Sequence, residues 1–193
     1  MSNTRPGVLL VVAGPSGAGK GTIVAQLRAR EPSLFWSVSW TTRAPRPGEV
    51  DGVDYHFVTR EEFERLQAAD GFLEYFDVYG DLKGTPDGPV REHLAAGGDV
   101  LLEVDVQGAL AVRRRYPDAV LVFVRPPSRA EQRHRLEARA QDSPEQIERR
   151  LEAAAAEEAL ATSFDHVVEN DDASRATDEV AAILAARRSA RGH

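Results

Sequence analysis

The chain has 193 residues, 42 % of them apolar and 28 % charged, which suits one globular domain with a small insertion and excludes wholesale disorder. It has no cysteine, which excludes disulfides, thiolate metal sites and cysteine nucleophiles, and its five histidines show no ligand-type spacing. The net charge of −7 argues against a nucleic-acid partner, and the early apolar run Val8 to Ala13 is too short for a membrane span or signal-peptide core. A soluble, cytoplasmic protein is the expectation.

In chain order, Val8–Ala13 reads as a buried strand, followed by a glycine-rich loop and a helix to about Arg30. Residues 35–40 and 53–58 read as short strands flanking a turn-rich segment. Thr59 and Glu62 form a capping box that opens a helix to about Ala69, and Phe72–Phe76 reads as a strand. A helix is expected from Pro86 to Ala96, a second buried strand over Val100–Val106, and a helix from Gly108 towards Tyr116. The third buried strand is Val120–Val124. Ser128 with Glu131, and Ser143 with Pro144 and Gln146, mark two further helix starts. A strand over His166–Glu169 and a helix from Ala173 to about Arg188 complete the chain. Buried strands alternating with helices predict a three-layer α/β core around a parallel sheet, interrupted by a small α+β insert.

Charge is unevenly spread. Residues 1–50 carry six basic against two acidic side chains, and residues 111–140 eight against three. Two basic stretches in an acidic chain suggest small polyanionic ligands held locally, although solvated helix faces would look the same. Only two of the 24 basic residues are lysines, Lys20 and Lys83, so the position of each is informative.

Lys20 falls in Gly14-Pro15-Ser16-Gly17-Ala18-Gly19-Lys20-Gly21-Thr22, between a buried strand and a helix. That is the context of a phosphate-binding loop (P-loop): glycines let successive N–H groups face one anion, the helix N-terminus adds positive potential, and the lysine reaches the phosphates. The spacing is not that of the dinucleotide fingerprint. Downstream, Ser37, Ser39, Arg43, Arg46, Tyr55 and Phe57 lie in a proline-stiffened segment. Its arginines and tyrosine would make a pre-organised phosphate clamp.

From Ser37 to Phe57 the sequence resembles the acceptor-binding insert of guanylate kinases, and the resemblance continues to the end of the chain. It implies a P-loop kinase core with a GMP-binding insert and a helical lid, and transfer of the γ-phosphoryl group of ATP to GMP in purine nucleotide metabolism. Carried over residue by residue, it implies ATP contacts at Gly14 to Thr22, Arg139 and Asn170. It implies GMP contacts at Ser39, Arg43, Arg46, Tyr55, Glu74, Lys83, Thr85, Asp105 and Arg150. Lys20, Arg43, Arg139 and Arg150 would stabilise the transferring group, and Thr22 and Glu103 would serve Mg²⁺, partly through water. The expected partners are ATP and GMP, with dGMP left open, in a monomer or small homo-oligomer. Residues 1–36 and 91–193 would form the core, with a lid at about 130–155, and 37–90 the insert, within one unit of about 7–188.

Some positions depart from the family pattern. Gly21 stands at the usual Ser/Thr position, Trp40 replaces a small residue, Lys83 stands where a tyrosine is usual, and Ala138 and Ala140 replace lid glycines. Two other readings stay open: a kinase of another phosphorylated acceptor, such as a ribose bisphosphate, and a non-catalytic guanylate-kinase-like binding module. The intact insert counts against the first, and the retained Gly19-Lys20 against the second.

Overall fold

The computed structural model describes residues 7–78, 80–138 and 143–191, with nothing stated of the Val78 side chain. Two sheets organise it. The first has five parallel strands in the order β2 (Phe35–Trp36), β7 (Val100–Glu103), β1 (Leu9–Ala13), β8 (Val120–Arg125) and β9 (His166–Glu169). Alternate side chains of a strand face opposite sides of its sheet. Leu10 and Val12 accordingly join a cluster with Ile23, Leu27, Val180 and Leu184, under α1 (Lys20–Arg30) and α7 (Ala173–Arg191). Leu9, Val11 and Ala13 join the other cluster, with Val106, Ala109 and Val112 of α4 (Val106–Arg115) and Val90 and Leu94 of α3 (Asp87–Ala95). Both faces are covered, which is why β1 is apolar throughout.

The second sheet has four strands in the order β4 (His56–Phe57), β3 (Trp40–Thr41), β6 (Asp81–Pro86) and β5 (Phe72–Val78). It holds its own small core. Phe63 of α2 (Arg60–Ala68) is fully buried and stacks on Phe72 at 4.3 Å, and Trp40 meets Phe72 edge-on at 5.9 Å. The bulk of Trp40 is therefore packing for this sheet. The expected capping box at Thr59 and Glu62 is formed, as is the one at Ser143 and Gln146 that opens α6 (Pro144–Ala159). Helix α5 (Arg129–Ala138) starts where Ser128 accepts from the Glu131 N–H. No helix among the described residues is long and apolar enough to cross a membrane.

Three boundaries differ from expectation. The stretch 35–40 is not one strand: Phe35–Trp36 pairs in parallel with β7, whereas Trp40–Thr41 belongs to the second sheet. The Ser37 N–H still donates to Leu101 O, while Ser39 O already accepts from the His56 N–H, so the chain changes sheets around Val38. The strand at 100–106 stops at Glu103, because Asp105 caps α4 by accepting from the Gly108 N–H at 2.7 Å. Strand β6 was not foreseen, since Asp81–Pro86 has neither an apolar run nor an alternation.

Candidate functional site

The glycine-rich loop joins β1 to α1. Gly14 has φ 145°, and a Cβ there would lie 2.1 Å from Val124 O on β8. Gly19 is the N-cap of α1 in the left-handed region, φ 85°, and a Cβ there would meet Asn170 Nδ2 at 2.2 Å. No side chain caps α1, so its first turn presents backbone donors in the way an anion site requires. Lys20 donates to Gly14 O at 2.6 Å and Pro15 O at 3.1 Å. Burial pulls its ammonium below the usual lysine range, opposed by the charges of Glu103, Glu157 and Asp105.

Side chains from two helices and one loop touch this turn. Gln132, fully buried on α5, donates to Ser16 O at 2.7 Å. Asn170, just after β9, donates to Ala18 O at 2.8 Å, and its Oδ1 is buried with no hydrogen-bond partner. Arg135 of α5 bonds Asn170 O at 3.0 Å and Ala18 O at 3.4 Å, and Arg150 of α6 bonds Ser16 Oγ at 2.9 Å. Sequence reasoning missed Gln132, because a lone glutamine on a charged helix carries no signal.

Across the cleft, Arg43 forms a two-pronged pair with Glu49, Nη1 to Oε2 at 2.7 Å and Nη2 to Oε1 at 2.6 Å. Glu49 also accepts from the Arg46 N–H at 2.7 Å, and the Arg43 hydrogen bonds hold its carboxyl at about 2. The guanidinium of Arg43 lies 5.1 Å from the Tyr55 ring centre, as does the Lys83 ammonium. Glu49, which the sequence reading did not single out, locks the arginine loop. Deeper in the wall, Ser39 Oγ lies 3.2 Å from Thr85 Oγ1, which donates to Glu74 Oε1 at 2.5 Å. Glu74 is only 6 % exposed. Burial pushes its carboxyl up to about 7, against the Thr85 hydrogen bond, with the Asp105 charge adding and the Lys83 charge subtracting.

These groups surround one cleft of about 600 Å³. Of the residues expected at the site, Gly14, Ser16, Lys20, Ser39, Arg43, Arg46, Tyr55, Lys83, Glu103, Asp105 and Arg150 line it. So do Trp36, Thr41, Asp54, Asp81 and Glu157, which the sequence did not single out. Glu74 and Thr85 stand behind Ser39. Pro15, Gly17, Ala18, Gly19 and Gly21 shape the loop without lining the cleft. Asn170 is buried behind the loop, and Thr22 is exposed on α1 outside the lining. Glu103 comes close to Gly21: a Cβ there would lie 3.9 Å from its Oε1. Arg139 and Ala140 lie outside the described residues.

Such a cleft, with a phosphate loop on one side and a carboxylate relay with a cationic clamp on the other, has close counterparts. The family model described as guanylate kinase matches residues 6–187. A guanylate kinase of Symbiobacterium thermophilum is 51 % identical over 188 residues, 97 % of this chain and 89 % of that protein. One of Thermus thermophilus is 54 % identical over 182 residues, 94 % of this chain and 82 % of that protein. The crystal structure of guanylate kinase from Anaplasma phagocytophilum matches with a TM-score of 0.75 at 34 % identity, covering 94 % of this chain and 86 % of that one. Likeness of this extent takes in both sheets and the helices beside the loop, so the chain belongs to the guanylate kinase family and transfers the γ-phosphoryl group of ATP to GMP, giving ADP and GDP.

Proposed function

We propose that the two walls of the cleft divide the substrates between them, ATP on the loop of Gly14–Thr22 and GMP on the second sheet. The observation that carries this reading is that Lys20 and Ser39 line one cleft, with Thr85 and Glu74 bonded in turn behind Ser39. Backbone N–H groups of the loop and the Lys20 ammonium take the β- and γ-phosphates, with Arg150 beside Ser16. Asn170 Oδ1, a buried acceptor without a partner, suits the amino group of adenine. Arg43, Arg46, Tyr55 and Lys83 hold the acceptor phosphate, and Arg43 is pre-organised for that by Glu49. Ionised Glu74, with Asp105, accepts from guanine N1–H and the 2-amino group, while the Ser39 hydroxyl donates to O6.

The oxygen chemistry around Lys20 fits Mg²⁺. Glu103 reaches towards the start of α1, and no group of three or more acidic or histidine side chains among the described residues could hold a metal. A magnesium ion that keeps several waters and draws on phosphate oxygens needs no more than that. Glu103 is the better-placed protein ligand, with Thr22 contributing through water. Bound there, Mg²⁺ would neutralise charge on the transferring phosphoryl group. Lys20, Arg43, Arg139 and Arg150 add to that neutralisation, and the acceptor phosphate, already an anion, needs no general base. The insert, 37–90, and the lid, about 130–155, close over the rest of the core, excluding water that would otherwise take the phosphoryl group. The work is done in the cytoplasm, by a monomer or small homo-oligomer.

ADP release from ATP, with GMP, AMP, CMP or UMP supplied separately, tests the assignment. A site built to bond a substrate donor rejects an analogue lacking it by roughly 10⁴-fold. Glu74→Gln should lower GMP turnover sharply and narrow the GMP-to-AMP ratio, with little change in KM for ATP. Unchanged discrimination would show that Glu74 does not read the base.

A further inference from the structure

The register of the second sheet sets a cation beside the buried acid. Glu74 pairs with Thr85 and Phe76 with Lys83 across β5 and β6. Directly opposed residues of an antiparallel pair share a face, so Glu74, Thr85 and Lys83 point the same way, with Lys83 on the diagonal from Glu74. Thr41, paired with Lys83 from β3, lines the cleft on that face too. The Lys83 ammonium, partly buried over the Tyr55 ring, has little room to turn to solvent. Every charged or titratable group felt by this pair belongs to the cleft. Asp105, from the start of α4, faces both; Tyr55 faces Lys83; and Lys20, from α1, lies within range of Lys83.

A buried carboxylate beside a second acid tends to take up a proton, and a protonated Glu74 no longer offers two acceptors to the guanine edge. We infer that Lys83 is a positioning residue for base recognition: its charge, diagonal to Glu74 on the cleft face of the sheet, favours the ionised form of that buried carboxylate as the acceptor for guanine. Burial alone would pull the Lys83 ammonium down, but Tyr55, Glu74 and Asp105 hold it up, so it stays charged across the working range. Recognition of the base and neutralisation of the acceptor phosphate are thereby joined in one side chain. The inference rests on the reading of Glu74 given above.

The test is kcat/KM for GMP against pH in wild type, Lys83→Met and Lys83→Arg, with GMP affinity measured alongside. The GMP phosphate becomes a dianion above about pH 6, so loss of a phosphate contact alone would make the ratio of wild type to variant grow with pH, the opposite of the effect expected through Glu74. Loss of an opposite charge at this range should raise the Glu74 carboxyl by about one unit. The ratio of wild type to Lys83→Met should then be about tenfold larger at about pH 6 than at about pH 8.5, and Lys83→Arg, which keeps the charge, should keep the wild-type pH dependence whatever its rate. A ratio that is flat or grows with pH would mean that Lys83 serves the phosphate alone, and the inference falls. It falls as well if the pH dependence of Lys83→Arg moves as far as that of Lys83→Met. Wild-type discrimination in Glu74→Gln would instead remove the reading of Glu74, a separable result.

Discussion

Lys20 donates to the carbonyls of Gly14 and Pro15, inside its own turn. Its side chain packs into no apolar cluster, so its removal should cost turnover more than stability. Lys20→Ala should lower kcat by on the order of 10²-fold or more, as expected for one pre-organised charge contact, with the circular dichroism spectrum unchanged. Near-normal kcat would remove Lys20 from the mechanism. The residues around it were legible to different degrees. Glycines at 14 and 19 announce themselves, because only glycine tolerates such dihedrals with backbone or Asn170 so close. Gln132 and Arg135, which tie the loop to α5, give no such notice: polar residues on a charged helix look alike until the partner is seen. Glu157 was invisible for the same reason, although it lines the cleft and adds to the charge around Lys20.

At the scale of elements, long apolar runs were read correctly because both faces of the parallel sheet are buried. The short strands were not, since two residues carry no period: β2 and β3 are neighbours in sequence yet belong to different sheets. The two sheets are also joined by a clasp that no motif revealed. Arg115, the last residue of α4, donates to Asp70 Oδ2 at 3.1 Å, to Asp70 O at 3.2 Å and to Asp87 Oδ2 at 3.2 Å. Tyr116 donates to Asp87 Oδ1 at 2.7 Å, and Asp87 is 4 % exposed. One arginine thus holds the chain where it enters β5 and where it leaves β6. Arg115→Ala would leave Asp87 with Tyr116 and the more distant Arg91. The loss should be about 1–3 kcal/mol, less than for a fully buried pair because Arg115 is one-third exposed. Urea unfolding should report it, together with a KM for GMP that rises more than the KM for ATP. An equal rise in both would mean that the clasp does not govern the GMP wall.

For the whole molecule, the buried acid of the second sheet ties stability to pH. Glu74 has a folded-state pKa of about 7 against an ordinary 4.5, so the folded chain binds this proton more tightly than the unfolded one. Its contribution to stability is therefore greatest in acid, falls as pH rises from about 4.5 to about 7, and is level above that. Glu74→Gln keeps a partner for Thr85 and removes the charge. The stability of this variant relative to wild type should improve by roughly 2–3 kcal/mol between about pH 5 and about pH 8, read by chemical unfolding without nucleotide. A gain that does not grow with pH would mean that Glu74 is solvated in the folded chain.

Lys20 and Lys83 are the only lysines in the sequence, and both line the cleft. Both side-chain amines of this sequence therefore lie in that cleft. Reagents and enzymes that acylate, glycate or conjugate amines find no side-chain target on its outer surface. Whatever reaches a lysine side chain of this sequence reaches that cleft.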